Sequence, residues 1–89
     1  MEIIYSILES SRQGALKTHI MFRCNLNSRQ LQLYVQFLVD KGLLVRERVP
    51  PSSKVEYKTS ERGRKYMQAY ETLLDLVGSR RPQRIQMRA

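Results

Sequence analysis

Hydrophobic positions recur with helical spacing in the first two segments of the chain. Residues 2–12 form the first segment, and their apolar side chains fall on one stripe: Ile3, Ile4, Ile7 and Leu8. Gly14 follows and is suited to ending a helix, because glycine tolerates the left-handed conformation found there. A second, shorter helix is predicted from about Ala15 to Arg23, with two residues facing inward: Ile20 and Met21.

The third helical segment has the clearest start and end. Residues 25–27 (Asn-Leu-Asn) predict a turn, Asn27 is a favourable N-cap, and Gln30 stands at the capping-box position. Apolar residues then recur at spacings of three and four: Leu31, Tyr34, Val35 and Leu38. Gly42 is a plausible stop, so this helix is predicted over about residues 27–41.

The period then changes from helical spacing to alternation. Residues 43–49 and 54–59 both alternate, and Pro50-Pro51-Ser52-Ser53 lies between them, which predicts a β-hairpin. In this prediction Val49, Val55 and Tyr57 face the core. The basic residues of the hairpin are expected to point outward: Arg46, Arg48, Lys54 and Lys58.

A fourth helix is predicted from a Ser60 cap to about Val77. Its apolar stripe consists of Tyr66, Met67, Tyr70, Leu73, Leu74 and Val77. Gly78-Ser79 ends the helix, and residues 79–89 contain four arginines and no acidic residue, so we expect a basic tail that is disordered in isolation. Residues 1–78 are predicted to form one mainly α-helical domain with a small hairpin.

Charge points to an anionic partner. Sixteen Lys and Arg against eight Asp and Glu give a net charge of +8 among 89 residues. No acidic residue lies between Glu9 and Asp40, an interval that contains Arg12, Lys17, His19, Arg23 and Arg29. A helical surface that excludes negative charge is what contact with phosphates requires, so nucleic acid is the expected partner and an anionic membrane surface the main rival.

Catalytic and metal chemistry find little support in the sequence. Cys24 is the only cysteine and His19 the only histidine, so one chain offers neither a disulfide nor a cysteine-rich zinc site. We therefore expect no enzyme activity, no cofactor, no small-molecule substrate and a small buried Cys24. No apolar run is long enough to span a bilayer and no signal peptide opens the chain, so we expect a cytoplasmic, nucleoid-associated protein without a membrane partner.

The predicted order of helix, helix-turn-helix, hairpin and helix is that of a winged helix-turn-helix domain. The run GALKTHIMFRCNLNSRQLQLYVQFLVDKGLL resembles the small archaeal winged-helix DNA-binding proteins that dimerise through their C-terminal helix. The later YKTSERGRKYM is similar to the same family's sequence after the wing, although many winged-helix regulators share it. Together the two runs cover most of the segment from Gly14 to Tyr70.

This resemblance implies a homodimer in which the last helices pair as an antiparallel two-helix coiled coil. It also implies a role in transcriptional regulation or in general DNA packaging. One departure concerns length, since only about two and a half heptads fit between Ser60 and Val77. The dimerisation helix is therefore short for this family.

In this fold the third helix enters the major groove with its N-terminal half nearest the bases. Arg29 can make a forked contact to guanine or hold a phosphate, and Gln32 can pair with adenine or remain solvated. Leu33 can contact a thymine methyl group. The five candidate positions on this helix are Ser28, Arg29, Gln32, Leu33 and Gln36.

Further candidates lie outside the third helix. Lys17 and Thr18 start the second helix, where N–H groups favour a phosphate, although Thr18 equally suits a local hydrogen bond. Arg23 either binds a phosphate or covers apolar surface with its stem. The hairpin residues Arg46, Arg48, Lys54 and Lys58 either straddle the DNA backbone or form an ordinary solvated surface.

The apolar stripe of the fourth helix (Tyr66, Met67, Tyr70, Leu73, Leu74, Val77) is predicted to cover its own core in part and to pair with a second chain in part. Burial of each large side chain is worth roughly 1.5–3 kcal/mol, which disfavours leaving the last turns exposed. The sequence thus predicts a homodimer that binds double-stranded DNA. The alternatives are a winged helix that serves as a protein-interaction or assembly module, and an RNA-binding winged helix.

Overall fold

The predicted order of elements is confirmed in the computed structural model, which describes residues 2–77. A strand that the sequence did not predict joins them. The elements are α1 (Glu2–Ser10), β1 (Ala15–Leu16), α2 (Lys17–Cys24), α3 (Ser28–Asp40), β2 (Leu44–Val49), β3 (Lys54–Thr59) and α4 (Glu61–Leu76). The predicted basic tail, residues 79–89, lies outside the described residues.

The unexpected strand β1 corrects the predicted start of the second helix. Ala15 and Leu16 are not helical but pair antiparallel with β3, opposite Tyr57 and Glu56 respectively. The sheet order is therefore β1-β3-β2. A hairpin strand leaves backbone N–H and C=O groups unpaired on its outer edge, and this short strand satisfies some of them. Local periodicity does not reveal such a pairing, because the partners are distant in sequence.

The ends of the helices follow the predicted signals. Asn27 and Gln30 form the capping box of α3, with Gln30 N–H donating to Asn27 Oδ1 at 2.8 Å and Asn27 N–H donating to Gln30 Oε1 at 3.1 Å. Asn25 ends α2 in the left-handed conformation at φ 56°. Gly42 follows α3 at φ 78°, a conformation that favours glycine.

The core lies between the three N-terminal helices, the sheet and the first half of α4. Its fully buried or nearly buried side chains include Ile7, Leu8, Ile20, Leu31, Val35, Leu38, Leu44, Tyr57 and Met67. Two buried hydroxyl groups donate to backbone carbonyl groups near the end of α1, one from the residue that follows α1 and one from β3. Ser11 Oγ donates to Ile7 O at 2.9 Å, and Thr59 Oγ1 donates to Leu8 O at 2.6 Å.

The first half of α4 is fixed to the body of the domain. Ser60 Oγ accepts from the Gly63 N–H at 3.0 Å and donates to Gly42 O at 2.7 Å, so it caps α4 and connects it to the end of α3. A Cβ atom at Gly63 would lie 2.4 Å from Leu43 O, so this close approach requires glycine. Within residues 2–77, no helix is long and apolar enough to cross a membrane.

Candidate nucleic-acid interface

The outward face of α3 carries four of the five candidate residues on one stripe. Arg29, Gln32, Leu33 and Gln36 are separated by three, one and three positions, and all four side chains are exposed. The opposite face of α3 is buried through Leu31, Val35 and Leu38. Ser28, the first residue of α3, is exposed as well. The structure therefore brings the candidates of this helix together on one surface, which we call the α3 outward stripe (Ser28, Arg29, Gln32, Leu33, Gln36).

Individual groups on the α3 outward stripe differ in their freedom to bind a ligand. Among residues 2–77, no side chain forms a hydrogen bond or an ion pair with Arg29 or Gln32. Gln36 donates from Nε2 to Asp40 Oδ1 at 3.0 Å, so it is partly engaged within the helix. Arg29 and Gln32 are consequently the residues best placed to meet an external partner.

The start of α2 is open to solvent. Its N-cap is Leu16, whose side chain has no group that accepts a hydrogen bond, so side-chain capping of the first N–H groups is absent here. Lys17 and Thr18 are exposed at this end, and within the described part of the chain Thr18 forms no local hydrogen bond through its hydroxyl. Arg23 is exposed in the last turn of the same helix. A phosphate fits the chemistry of this helix start.

The hairpin places its four basic residues on two faces. Arg46 lies opposite Tyr57 and Arg48 opposite Val55, and paired residues of antiparallel strands point to the same side. The arginines therefore share the side of the sheet that carries the buried Tyr57. Lys54 and Lys58 lie on the other side. All four basic side chains are exposed, as expected, but the register divides them between the two faces of the hairpin.

The expected inward position of Val49 is wrong, because the alternation of β2 places Val49 on the face of the hairpin opposite to the buried Tyr57. Val49 pairs with Lys54 and therefore lies on the lysine side of the hairpin, half-buried. Tyr57 is buried as expected, and Val55 is half-buried on the arginine side. A shift of one residue in the register of a strand moves each side chain to the opposite face of the sheet. The composition of the strand alone does not determine which of the two registers is adopted.

Charge differs between the two faces of the hairpin. On the lysine side Glu47 lies directly opposite Glu56, so two carboxylates stand between the lysines. On the arginine side β2 and β3 carry no acidic residue. Arg46 lies with its guanidinium carbon 5.9 Å from the Tyr57 ring centroid, and Arg48 donates to Ser53 O at 3.3 Å. The arginine side is therefore the more favourable of the two for a phosphate.

The apolar stripe of α4 divides between the core and the surface. Met67 is only 2% exposed in its own chain, so it cannot contact a second chain and is removed from the predicted dimer interface. Tyr66, Tyr70 and Leu74 are half-buried. The exposed residues are Leu73, Val77 and a third that was not predicted, Leu76, at 59%, 61% and 75%. The helical spacing of three residues between Leu73 and Leu76 could have placed Leu76 on the predicted apolar stripe.

Groups associated with catalysis are sparse in the described residues. His19 is exposed, and Cys24 is half-buried rather than buried as expected, with Sγ 3.9 Å from Ser10 Oγ. No cluster of three His, Cys, Asp or Glu side chains suited to a metal ion occurs between residues 2 and 77. A hydrogen bond to Glu71, and then partial burial, raise the pKa of Tyr5, so this perturbation has a structural cause.

The same arrangement of helices and wing is found in proteins of known family. A sequence profile described as "Winged helix-turn-helix" matches residues 1–77. The chain belongs to the winged helix-turn-helix family. An uncharacterized archaeal protein, MJ0287 of Methanocaldococcus jannaschii, is 28% identical over 80 residues, which cover 89% of this chain and 76% of the relative.

Solved winged-helix structures share this fold. Sso10a-2, a DNA-binding protein from Sulfolobus solfataricus, superimposes with a TM-score of 0.73 at 21% identity, covering 84% of this chain and 77% of that one. A MarR family transcriptional regulator from Silicibacter pomeroyi gives 0.67 at 20% identity, covering 94% of this chain and 59% of the regulator. At this level of identity the similarity establishes the fold.

Proposed function

We propose that this winged helix binds double-stranded DNA with α3 in the major groove. The observation that carries this proposal is the α3 outward stripe, on which Arg29 and Gln32 have no partner among residues 2–77. Arginine reads guanine and glutamine reads adenine through paired hydrogen bonds in the major groove. Ser28 and Leu33 flank these two residues and suit a phosphate and a thymine methyl group respectively.

Basic residues around α3 supply the electrostatic part of binding. Lys17, Thr18 and Arg23 on α2 are proposed to contact the phosphate backbone beside the groove. In the wing, the proposal favours Arg46 and Arg48, because the lysine side of the hairpin is offset by two carboxylates. Lys54 and Lys58 then contribute mainly to long-range attraction.

The proposed DNA-binding unit is a homodimer that forms through the end of α4. Leu73, Leu76 and Val77 expose apolar surface in the last turns, next to the half-buried Leu74. Pairing with the same segment of a second chain would bury these side chains, and burial of each is worth roughly 1.5–3 kcal/mol. For this contact we propose the antiparallel two-helix coiled coil that the resemblance to the small archaeal winged-helix DNA-binding proteins implies.

The relatives support this proposal from another direction. Sso10a-2 is described as a DNA-binding protein and the Silicibacter pomeroyi relative as a transcriptional regulator. By analogy we propose that this chain is a regulator or a chromatin-type protein of the nucleoid. Genome-wide occupancy mapping separates the two roles, because a regulator gives discrete peaks and a packaging protein a broad coat.

A salt titration with a labelled duplex tests the electrostatic part of the proposal. If each subunit neutralises about five phosphates, the slope of log binding constant against log salt is about −4 to −5 per subunit. A binding constant that barely changes with salt contradicts the proposal. Competition between duplex DNA and structured RNA at fixed salt identifies an RNA-binding winged helix instead.

A matched pair of double variants tests the role of α3. We expect Arg29→Ala with Gln32→Ala to weaken duplex binding by about 1–3 kcal/mol for each base that the variant can no longer read. Lys65→Ala with Gln68→Ala removes one basic and one amide side chain from the exposed surface of α4 and is expected to change binding little. Weak duplex binding that neither double variant alters indicates a protein-interaction module.

A further inference from the structure

An apolar groove runs between α1, α3 and the first half of α4. Two adjoining surface cavities of about 510 Å³ and about 370 Å³ share Ile4 and Phe37 as lining residues. Leu33 and Tyr34 extend the lining along α3, and Leu43 and Tyr66 extend it towards α4. We call this surface the α1–α3 groove (Ile4, Leu33, Tyr34, Phe37, Leu43, Tyr66).

The groove exposes more apolar surface than the fold of one chain requires. Phe37 is 45% exposed and Leu33 66% exposed, and they lie four residues apart, so their side chains are neighbours on α3. A contiguous apolar patch of this kind, rimmed by polar residues, is typical of an interaction site.

The rim of the groove is basic. Lys41 Nζ lies 5.8 Å from the centroid of the Phe37 ring, and Arg62 lines the same cavity. Arg29 stands one helical turn before Leu33 and adds a third positive charge near the other end. Among the described residues, no aspartate or glutamate lines either cavity. The surface therefore combines an apolar floor with a rim that complements carboxylates.

We propose that the α1–α3 groove binds an acidic amphipathic helix of a partner protein. The apolar face of such a helix would occupy the floor, and its flanking carboxylates would meet Lys41 and Arg62. This chain's own residues 78–89 are a poor occupant because they carry four arginines and no acid. A second copy would oppose the same basic rim in a two-fold contact. A duplex offers phosphates for the rim but no apolar ridge for the floor.

The groove also shares a residue with the α3 outward stripe. Leu33 lines the groove and directly follows the proposed base-reading residue Gln32 on the α3 outward stripe. Occupation of the groove near Leu33 therefore obstructs entry of α3 into DNA, so the partner helix and the duplex compete. This competition rests on the proposed function, whereas binding of the partner helix does not.

A pair of designed peptides tests the binding step. The probe is a fluorescent helix-forming peptide of about 14 residues with leucine at positions i, i+3, i+4 and i+7 and glutamate at the positions that flank this leucine stripe. Its twin carries lysine in place of glutamate. We expect the full chain to bind the glutamate peptide at least about tenfold more tightly than the lysine twin, as measured by fluorescence anisotropy. Failure to bind either peptide, or equal binding of both, overturns the proposal.

Variants locate the binding surface. We expect Phe37→Ala to weaken peptide binding about tenfold or more, and Lys41→Gln with Arg62→Gln to weaken it roughly threefold to tenfold. Phe22→Ala is the matched control, because Phe22 is 81% exposed on α2 and does not line the groove. Thermal melts confirm that each variant folds. Equal losses for Phe22→Ala and Phe37→Ala, or no loss for Phe37→Ala, overturn the proposal.

Two further readouts exclude the other occupants. We expect Phe37→Ala to leave duplex affinity within about twofold, and Phe37→Asp to sediment as the wild type does. A large loss of duplex binding for Phe37→Ala assigns the groove to DNA instead. A smaller sedimenting species for Phe37→Asp assigns it to a second copy, and either result overturns the proposal. If the glutamate peptide binds but does not displace a bound duplex, only the competition, and with it the proposed placement of Leu33 in the DNA interface, is contradicted.

Discussion

Helices α3 and α4 pack against the same core, and the start of α3 and the last turns of α4 expose different chemistry. The N-terminal half of α3 exposes hydroxyl, guanidinium and amide groups at Ser28, Arg29 and Gln32. The last turns of α4 expose Leu73 and Leu76 instead. Polar groups lose little by facing water until a ligand arrives, whereas exposed leucines gain by burial against another apolar surface. The outward face of each helix therefore indicates a different kind of partner.

Burial also differs along the length of α4. Gly63 and Met67 are buried in the domain, whereas Leu73, in the second half of α4, is 59% exposed. Tyr5 marks the boundary, since its hydroxyl donates to Glu71 and its ring lies 5.0 Å from that of Tyr70. Substitutions on either side of this boundary are expected to have different consequences.

The largest expected effect is the loss of stability when a buried apolar residue of α4 is truncated, compared with the truncation of an exposed one. Met67→Ala is expected to lower the free energy of unfolding by about 2–5 kcal/mol, because it leaves a cavity in the core. Leu73→Ala is expected to cost well under about 1 kcal/mol in dilute protein, where each chain is alone. Urea unfolding monitored by circular dichroism measures both. Equal losses for the two variants would contradict the division of α4.

The next effect concerns association. Leu73→Asp places a charge in the proposed dimer contact and is expected to raise the dimer dissociation constant at least about a hundredfold, or about 2.7 kcal/mol, while the domain stays folded. Thr72→Asp adds the same charge at the adjacent exposed position and serves as the control. Sedimentation velocity measures both variants. A wild-type chain that already sediments as a monomer refutes the coiled-coil proposal.

A smaller effect is expected at the start of α3. Asn27→Ala removes the side-chain acceptor of the capping box and is expected to lower the free energy of unfolding by about 1 kcal/mol. Asn25→Gly is the control, because its left-handed conformation at φ 56° is open to glycine at little cost. Chemical denaturation of both variants tests the prediction. A loss for Asn25→Gly as large as that for Asn27→Ala would argue against a specific role of the cap.

The smallest effect is a pH dependence at the boundary within α4. The hydrogen bond to Glu71, and then burial, raise the pKa of Tyr5 above 10.0. A raised pKa means that the folded state holds the proton more tightly than the unfolded state. The resulting stabilisation is complete below about pH 10 and is lost as the pH rises through the raised value. Tyr5→Phe is expected to reduce this alkaline loss in thermal melts, and Tyr34→Phe on α3 to retain it.

Local signals predicted those parts of the fold that depend on neighbours in sequence. Asn27 and Gln30 predicted the capping box, and both members of that pair lie within one helical turn. The hairpin strands were predicted because alternation and a Pro/Ser turn are local as well. The family resemblance added the arrangement of these elements, which periodicity alone does not supply.

The sequence did not predict the features that depend on residues distant along the chain. Strand β1 exists because β3 offers Ala15 and Leu16 an edge, and Gly63 is required because the backbone of Leu43 approaches α4. The register of β2 on β3 placed Arg46 beside Tyr57 rather than beside Lys58. Burial of Met67 likewise depends on how α4 meets the core. The candidate residues of α3 were easier, because one buried stripe determines which side of a helix faces outward.

The central claim is that the outward face of α3, and not that of α4, meets DNA. Titration of the isotope-labelled protein with a short duplex, followed through backbone amide NMR shifts, tests it most directly. We expect the largest shifts at Arg29, Gln32 and Lys17, and unchanged signals at Leu73 and Leu76. Shifts concentrated in the last turns of α4, with the signals of Arg29 and Gln32 unmoved, would contradict the claim.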